Sequence, residues 1–115
     1  MTGRSPITTH VLDTSLGRPA AGVKVLLFRL DPGGQFREVG RGQTDEDGRI
    51  TDLLPARPLA AGRYRIDFAV GAYFSSQDRP TLYPEVSILF DVAQAAHYHI
   101  PLLLSPFGYS TYRGS

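Results

Sequence analysis

The sequence predicts an all-β protein, an antiparallel β-sandwich with at most one short helix, and three observations indicate this. Twelve Gly and nine Pro residues are spread along the chain and divide it into short segments. Several of these segments alternate between apolar and polar residues with the period of two that is typical of strands. Helical periodicity is scarce, so seven or eight short strands joined by turns account for most of the chain.

The strand segments follow one another at regular spacing. The first has His10 and Leu12 on one side and Thr9 and Val11 on the other, whereas residues 23–30 are mostly apolar on both faces, as expected for a strand inside a sandwich. The predicted strands cover residues 7–13, 23–30, 36–43, a segment opened by Arg49, 62–70, 85–91, 96–105 and 107–115.

Turn signals separate these strands. The stretch "DPGG" turns the chain at 31–34, and "TDEDGR" forms an acidic turn at 44–49 in which Gly48 can supply a positive φ. Only "GAYFSSQDR", residues 71–79, is expected to form a short helix. A chain of 115 residues is the size of one domain, which we expect to span residues 1–115 and to bury about 65% of its unfolded surface.

Composition excludes several classes of function. The net charge of +1 implies no basic face, so nucleic acid is not expected as a partner. The absence of Cys removes thiol nucleophiles, thiolate metal sites and disulfides. No apolar run has the length of a membrane span or a secretory signal, so we expect no membrane association and a cytoplasmic location.

Three histidines and one arginine are candidates for chemistry. His97 and His99 project to the same side of a strand, and His10 lies on another, so two strands could bring three imidazoles together. Three His ligands with an open fourth position can also form a catalytic zinc site, and each His could equally be structural. Arg49, directly after a turn, could hold a planar anionic or carbonyl-rich substrate, or simply be solvated.

Three stretches carry a resemblance to a known family: "ITTHVLDTSLGRPAAGVKV", "TDEDGRI" and "HYHIPLLLSPFGYSTYRGS". Together they resemble the 5-hydroxyisourate hydrolases, the transthyretin-related enzymes of urate breakdown. The resemblance covers nearly the whole chain, and the closing "YRGS" is its most specific part. It implies a transthyretin-like sandwich of two four-stranded sheets, assembled as a homotetramer with active sites in the channel between dimers.

The resemblance also implies a set of site residues and a reaction. The reaction is hydrolytic opening of the 5-hydroxyisourate ring at an acyl carbon–nitrogen bond, with no metal and no cofactor. His10 or His99 would take the proton from water, Arg49 would steady the oxyanion, and Ser115 would orient the base or the water. The implied catalytic residues are His10, Arg49, His99 and Ser115, and the implied substrate-binding residues are His10, Arg49, Tyr112, Arg113 and Gly114.

Two matters stay open at this stage. His97 could support the site from behind or be an exposed strand residue. A non-enzymatic protein of the same fold, which binds a small aromatic ligand without changing it, is the alternative to a hydrolase. The run from Ile100 to Leu104 is apolar on both faces of its strand, which favours cover by another subunit.

Overall fold

Two β-sheets packed face to face make up the protein. The computed structural model describes residues 5–115. The strands are β1 Ile7–Asp13, β2 Arg18–Pro19, β3 Lys24–Leu30, β4 Phe36–Gln43, β5 Arg49–Ile50, β6 Gly62–Phe68, β7 Val86–Val92, β8 Tyr98–Ser105 and β9 Gly108–Thr111, and helix α1 spans Val70–Ser75. The predicted all-β class with one short helix is confirmed.

The first sheet has one strand more than the predicted four. Its order is β2-β1-β8-β9, and β5 also pairs with β1, whereas the second sheet has the order β4-β3-β6-β7. The two-residue strands β2 and β5 both pair with β1, β5 opposite Thr9 and His10 and β2 opposite Leu12 and Asp13. The sheet therefore has five strands because the partner on one side of β1 is divided into the two short strands β2 and β5.

One pairing contradicts the prediction of a purely antiparallel sandwich. β1 and β8 run parallel over seven residue pairs, from Ile7 opposite Tyr98 to Asp13 opposite Leu104. All the other strand pairs are antiparallel. Parallel neighbours need a long crossover, and here the whole second sheet lies between the two strands in the chain. Local sequence patterns do not report such a pairing.

The core lies between the sheets and follows the alternation of the strands. In β6, Tyr64, Ile66 and Phe68 are buried, and Arg63, Arg65 and Asp67 lie on the opposite face, as the sequence predicts. In β1, Ile7, Thr9, Val11 and Asp13 are buried on the core side, and Thr8 on the opposite face is buried as well. The alternation of these strands therefore fixes which face of each sheet is left for function.

The helix and two strand ends differ from the predicted boundaries. The predicted strand 62–70 ends at Phe68, because Val70 opens α1. The helix ends at Ser75 rather than reaching 79, and Asp78 has a positive φ of 54° in the loop beyond it. Within residues 5–115, α1 is the one helix, and its six residues are too few to cross a membrane.

The last strand also ends earlier than predicted. β9 stops at Thr111, although the same register resumes where Gly114 bridges His99. The interruption falls at the positions opposite Ile100 and Pro101, and proline has no N–H to donate to a ladder. The Thr111 hydroxyl instead donates a hydrogen bond to the Pro101 carbonyl at 2.7 Å.

A buried ion pair ties the end of β1 to the helix region. Asp13 is fully buried, and its carboxylate accepts hydrogen bonds from Arg79 at 2.7 Å, Tyr73 at 2.7 Å and Ser15 at 2.6 Å. Burial by itself would raise the pKa of Asp13, but these hydrogen bonds outweigh it and hold the pKa well below its ordinary value. The carboxylate is therefore charged in the folded protein, and Arg79 is its cationic partner.

Removing the cation from this pair should cost far more than breaking an exposed pair. We expect Arg79→Ala to lower the free energy of unfolding by about 3–5 kcal/mol, because a buried charge is left unpaired. The matched control is Arg63→Ala, whose partner Asp91 is exposed, with an expected loss of at most about 1 kcal/mol. Urea unfolding at one protein concentration, followed by tyrosine fluorescence, measures both.

The pH dependence of this effect has a definite sign. Because the folded pKa of Asp13 is lowered, its stabilisation is complete above the ordinary Asp pKa of about 3.9 and is lost as the pH falls through the folded value. The difference in the free energy of unfolding between wild type and Arg79→Ala should therefore become smaller in acid. Equal losses of unfolding free energy in Arg79→Ala and Arg63→Ala would contradict the assignment of Arg79 as the partner of a buried charge.

Candidate active site

The outer face of the five-stranded sheet carries most of the predicted site residues. Thr8 lies opposite His99 in the β1–β8 pairing, and His10 lies opposite Arg49 in the β1–β5 pairing. Residues opposite each other in a ladder project from the same face of the sheet. Thr8, His10, Arg49 and His99 therefore leave the sheet on the side away from the core.

A small pocket at this face is lined by residues that all have polar side chains. Its volume is about 100 Å³. It brings together three of the predicted catalytic residues, Arg49, His99 and Ser115, although they lie far apart in the chain. The remaining lining residues are Thr8, Thr9, Thr51 and His97. We call this the polar pocket.

The turn before β5 positions Arg49. Gly48 has a φ of 75°, as predicted, and a side chain there would collide with the carbonyl oxygen of Val11. The Asp45 carboxylate accepts hydrogen bonds from the backbone N–H of Arg49, at 2.9 Å, and of Asp47, also at 2.9 Å. The Val11 N–H donates to the Gly48 carbonyl at 2.7 Å, so the turn is fastened to β1.

A single hydroxyl lies between the two histidines of β8. The Thr8 Oγ1 atom is 2.8 Å from His99 Nδ1 and 3.0 Å from His97 Nε2. Thr8 is only 3% exposed, so little water competes for these contacts. His97 is thus connected to His99 through Thr8, which answers the question that the sequence leaves open about its place.

The end of the chain reaches the polar pocket beside His99. The Gly114 N–H donates to the His99 carbonyl at 2.8 Å, and this bond places Ser115 at the pocket. A Cβ atom on Gly114 would lie 2.5 Å from Cδ2 of the His99 ring. Only glycine allows this approach of backbone to imidazole.

The other predicted residues do not line the pocket. His10 is half-buried next to Arg49. Tyr112 is 57% exposed, and the Arg113 guanidinium lies 4.2 Å from the centre of the Tyr98 ring, an arrangement typical of a cation–π contact. The contacts of His10, Tyr112 and Arg113 with a substrate stay predictions.

Sequence reasoning missed the threonines of the pocket. Thr8 and Thr51 have no motif of their own, and only the register of β1 with β8 places Thr8 between two imidazoles. Among residues 5–115, no three or more His, Asp or Glu side chains are grouped so as to hold a metal ion.

Several pockets are larger than the polar pocket, including one of about 460 Å³ beside the loop after α1, and two of about 340 Å³ each lie beside the loop at 55–60. Their linings are mainly proline, leucine and alanine, and Arg57 lines both. One of them also borders His97. Size favours these pockets as ligand sites, but a catalytic site is better indicated by convergent acid–base and cationic groups, which the polar pocket has.

A two-sheet sandwich with an Arg- and His-lined pocket on one outer sheet face places the protein in the transthyretin-like class. The chain belongs to the HIUase/Transthyretin family, whose model matches residues 7–114.

Relatives with curated names agree with this assignment. A 5-hydroxyisourate hydrolase of Salmonella dublin is 44% identical over 114 residues, covering 98% of this chain and 83% of the relative. 5-Hydroxyisourate hydrolase 2 of Rhizobium meliloti strain 1021 is 47% identical over 116 residues, covering 95% of both chains.

Solved structures show the same fold. A 5-hydroxyisourate hydrolase from Klebsiella pneumoniae superposes with a TM-score of 0.82 at 40% identity, covering 95% of this chain and 98% of that one. Sea bream transthyretin in complex with thyroxine superposes with a TM-score of 0.90 at 30% identity, covering 96% and 95%. The transthyretin-like sandwich predicted by resemblance is confirmed.

Substitution of Gly114 should disturb the pocket selectively. In Gly114→Ala we expect the added methyl group to displace either the His99 ring or the terminal segment, because the two would overlap. The imidazole NMR signals of His99 should shift, and the residue 114 amide should exchange faster with solvent. The control is Gly108→Ala, whose nearest neighbour would be the Ser105 hydroxyl at an ordinary 3.6 Å. Unchanged His99 signals and exchange in Gly114→Ala would contradict the close approach.

Proposed function

We propose that this chain, acting as one domain over residues 1–115, is a 5-hydroxyisourate hydrolase of urate breakdown. The product is 2-oxo-4-hydroxy-4-carboxy-5-ureidoimidazoline. The observation that carries the proposal is the convergence of Arg49, His99 and Ser115 in one polar pocket. The substrate is the one named for relatives that are 44–47% identical to this chain.

The lining residues can supply each element of a hydrolysis. His99 takes a proton from water as the water attacks a ring acyl carbon, and His99 then returns a proton to the departing ring nitrogen. Arg49 donates hydrogen bonds to the oxygen on which negative charge develops. Ser115 holds the attacking water, and His10, beside Arg49, contacts the substrate. Tyr112, Arg113 and Gly114 complete the binding surface. The scheme requires no metal and no cofactor.

A second copy of the chain is part of the proposal. Ligand pockets usually have volumes of about 300–1,000 Å³. The polar pocket of a single chain has only about 100 Å³, so the site needs another surface opposite it. On the outer face of β8, Pro101 is already buried in a single chain, but Leu103 beside it is only half-buried and can be covered by a partner. We propose a homotetramer in which the pocket is completed at the interface between dimers.

A ligand-binding protein without catalytic activity is the second candidate. The superposition on a transthyretin that holds thyroxine favours it. Against it stands the lining of the polar pocket, in which every residue is polar and two are imidazoles. An apolar ring system would leave those groups unsatisfied, at a cost in affinity.

Activity and its dependence on two pocket residues can be tested together. 5-Hydroxyisourate is generated from urate, and its ultraviolet absorbance is followed with and without protein. We expect His99→Ala to lower kcat/KM by about 10²–10⁴ as for loss of a general base, and Arg49→Ala by about 10²–10³ as for loss of an oxyanion donor. Arg63→Ala, on the outer face of the other sheet, is the control and should keep wild-type activity.

No acceleration by wild-type protein would favour the binding protein, and full activity of either pocket variant would remove that residue from the scheme.

The position of Ser115 allows a separate test. Several residues appended after Ser115 would have to occupy or displace the polar pocket. We expect the activity to fall sharply while the urea midpoint stays unchanged, and the same residues placed before Met1 should be tolerated. Wild-type kcat/KM in the C-terminally extended protein would exclude a role for Ser115.

A further inference from the structure

The hydroxyl between the two histidines of β8 suggests a route for the proton. We propose that Thr8 is a positioning residue that passes a proton between His99 and His97, so that the two imidazoles act as one acid–base pair. This inference rests on the proposed function, in which His99 is the base. It gives roles to a threonine and a histidine that no motif assigns.

The geometry links the tautomers of the two rings. A threonine hydroxyl donates one hydrogen bond and accepts others, and it contacts both His99 Nδ1 and His97 Nε2. When Thr8 donates to His97 Nε2, His99 must present an Nδ1–H to the Thr8 oxygen if both contacts are to be hydrogen bonds. When Thr8 donates to His99 Nδ1, His97 must present an Nε2–H. A change at one ring therefore changes the other.

The linked tautomers permit a balanced transfer. At the start, His99 carries its proton on Nδ1 and His97 carries its own on Nδ1. His99 Nε2 takes a proton from the attacking water, His99 Nδ1–H passes its proton to the Thr8 oxygen, and the Thr8 O–H passes its proton to His97 Nε2. His97 is then an imidazolium, and His99 is neutral with a proton on Nε2 that it can give to the departing ring nitrogen. The reverse transfer through Thr8 restores both rings.

Burial and surroundings favour this route. Thr8 is 3% exposed, so the two contacts are shielded from water, and hydrogen bonds are stronger in such surroundings. His97 borders a second pocket, of about 340 Å³, where a proton can exchange with solvent without passing the substrate.

Several charged or titratable groups face this pair. Arg49 and Ser115 line the polar pocket together with His99, and His10 shares its sheet face. Arg57 lines the second pocket with His97.

Three variants test the relay. Thr8→Val keeps the shape but removes the hydroxyl, Thr8→Ser keeps the hydroxyl, and His97→Gln keeps a hydrogen-bonding side chain that cannot take up the proton. We expect Thr8→Val and His97→Gln each to lower kcat at least about 10-fold, with KM changed less than about 3-fold, because only proton transfer is impaired. Thr8→Ser should recover most of the activity lost in Thr8→Val.

The double variant and the pH profile distinguish a relay from a structural role. Because one route is broken by either change, Thr8→Val/His97→Gln should be no slower than the slower single variant. In Thr8→Val the acid limb of kcat against pH should move, and the urea midpoint should stay within the range of Thr8→Ser. The relay would be overturned if the kcat of the double variant were lowered by the product of the two single-variant losses. It would also be overturned if the acid limb of kcat against pH in Thr8→Val stayed where it is in wild type. If Thr8→Val does not fold, the comparison of His97→Gln with wild type tests the relay, again by the position of the acid limb of kcat against pH.

A measurement without substrate separates this inference from the proposed function. Imidazole ¹⁵N signals report the tautomer and protonation of each ring. In wild type and Thr8→Ser we expect His97 and His99 to titrate as a coupled pair, and in His97→Gln the His99 tautomer should change. Independent titration in wild type would overturn the relay even if the protein hydrolyses 5-hydroxyisourate. Coupled titration in a protein without hydrolase activity would refute the proposed function and leave the coupling standing.

Discussion

The parallel pairing of β1 with β8 is the constraint on which the site depends. It joins two strands that lie about ninety residues apart in the chain, and it sets Thr8 opposite His99 and His10 opposite Pro101. A slip of one residue would turn every side chain of β1 to the other face, because side chains alternate. The Thr9 hydroxyl donates to the Ile100 carbonyl at 2.6 Å, which helps to hold this register from the core side.

Buried polar groups at the two ends of β1 serve different purposes. At one end, the hydroxyl of Thr8 meets two imidazoles that can gain and lose protons. At the other end, Asp13 is held as a carboxylate by Arg79 and the Tyr73 hydroxyl and does not titrate near neutral pH. Both ends are satisfied by hydrogen bonds, as buried polar groups must be. The C-terminal end of β1 is thus held to the helix region by the Asp13–Arg79 pair, and its N-terminal half places Thr8 between the two imidazoles.

Features that depend on local pattern could be predicted from the sequence. The alternation of β6, the positive φ of Gly48 and the position of α1 follow from residue spacing and turn chemistry within a few residues. The sandwich class followed from the strand spacing and turn signals, whereas the family and the arrangement of two four-stranded sheets followed from the resemblance of three stretches. Arg49, His99 and Ser115 were expected together only because the resemblance carried their roles, and the structure brings them to one pocket.

Features that depend on pairing between distant segments could not be predicted. The early end of β9 depends on Pro101 in the neighbouring strand, and the turn from β6 into α1 depends on packing of Val70 in the core. Thr8 looks like any β-branched strand residue until β8 is placed beside it. The parallel direction of β1 and β8 has no local signature, which is why the antiparallel expectation was wrong there.

The two short partners of β1 also limit how far the sheet can grow. On that side, β2 and β5 have two residues each, too few to template a further strand, whereas β9 is the edge strand on the other side of the same sheet. Within the described residues, β9 is therefore the edge of this sheet at which a further strand could be added.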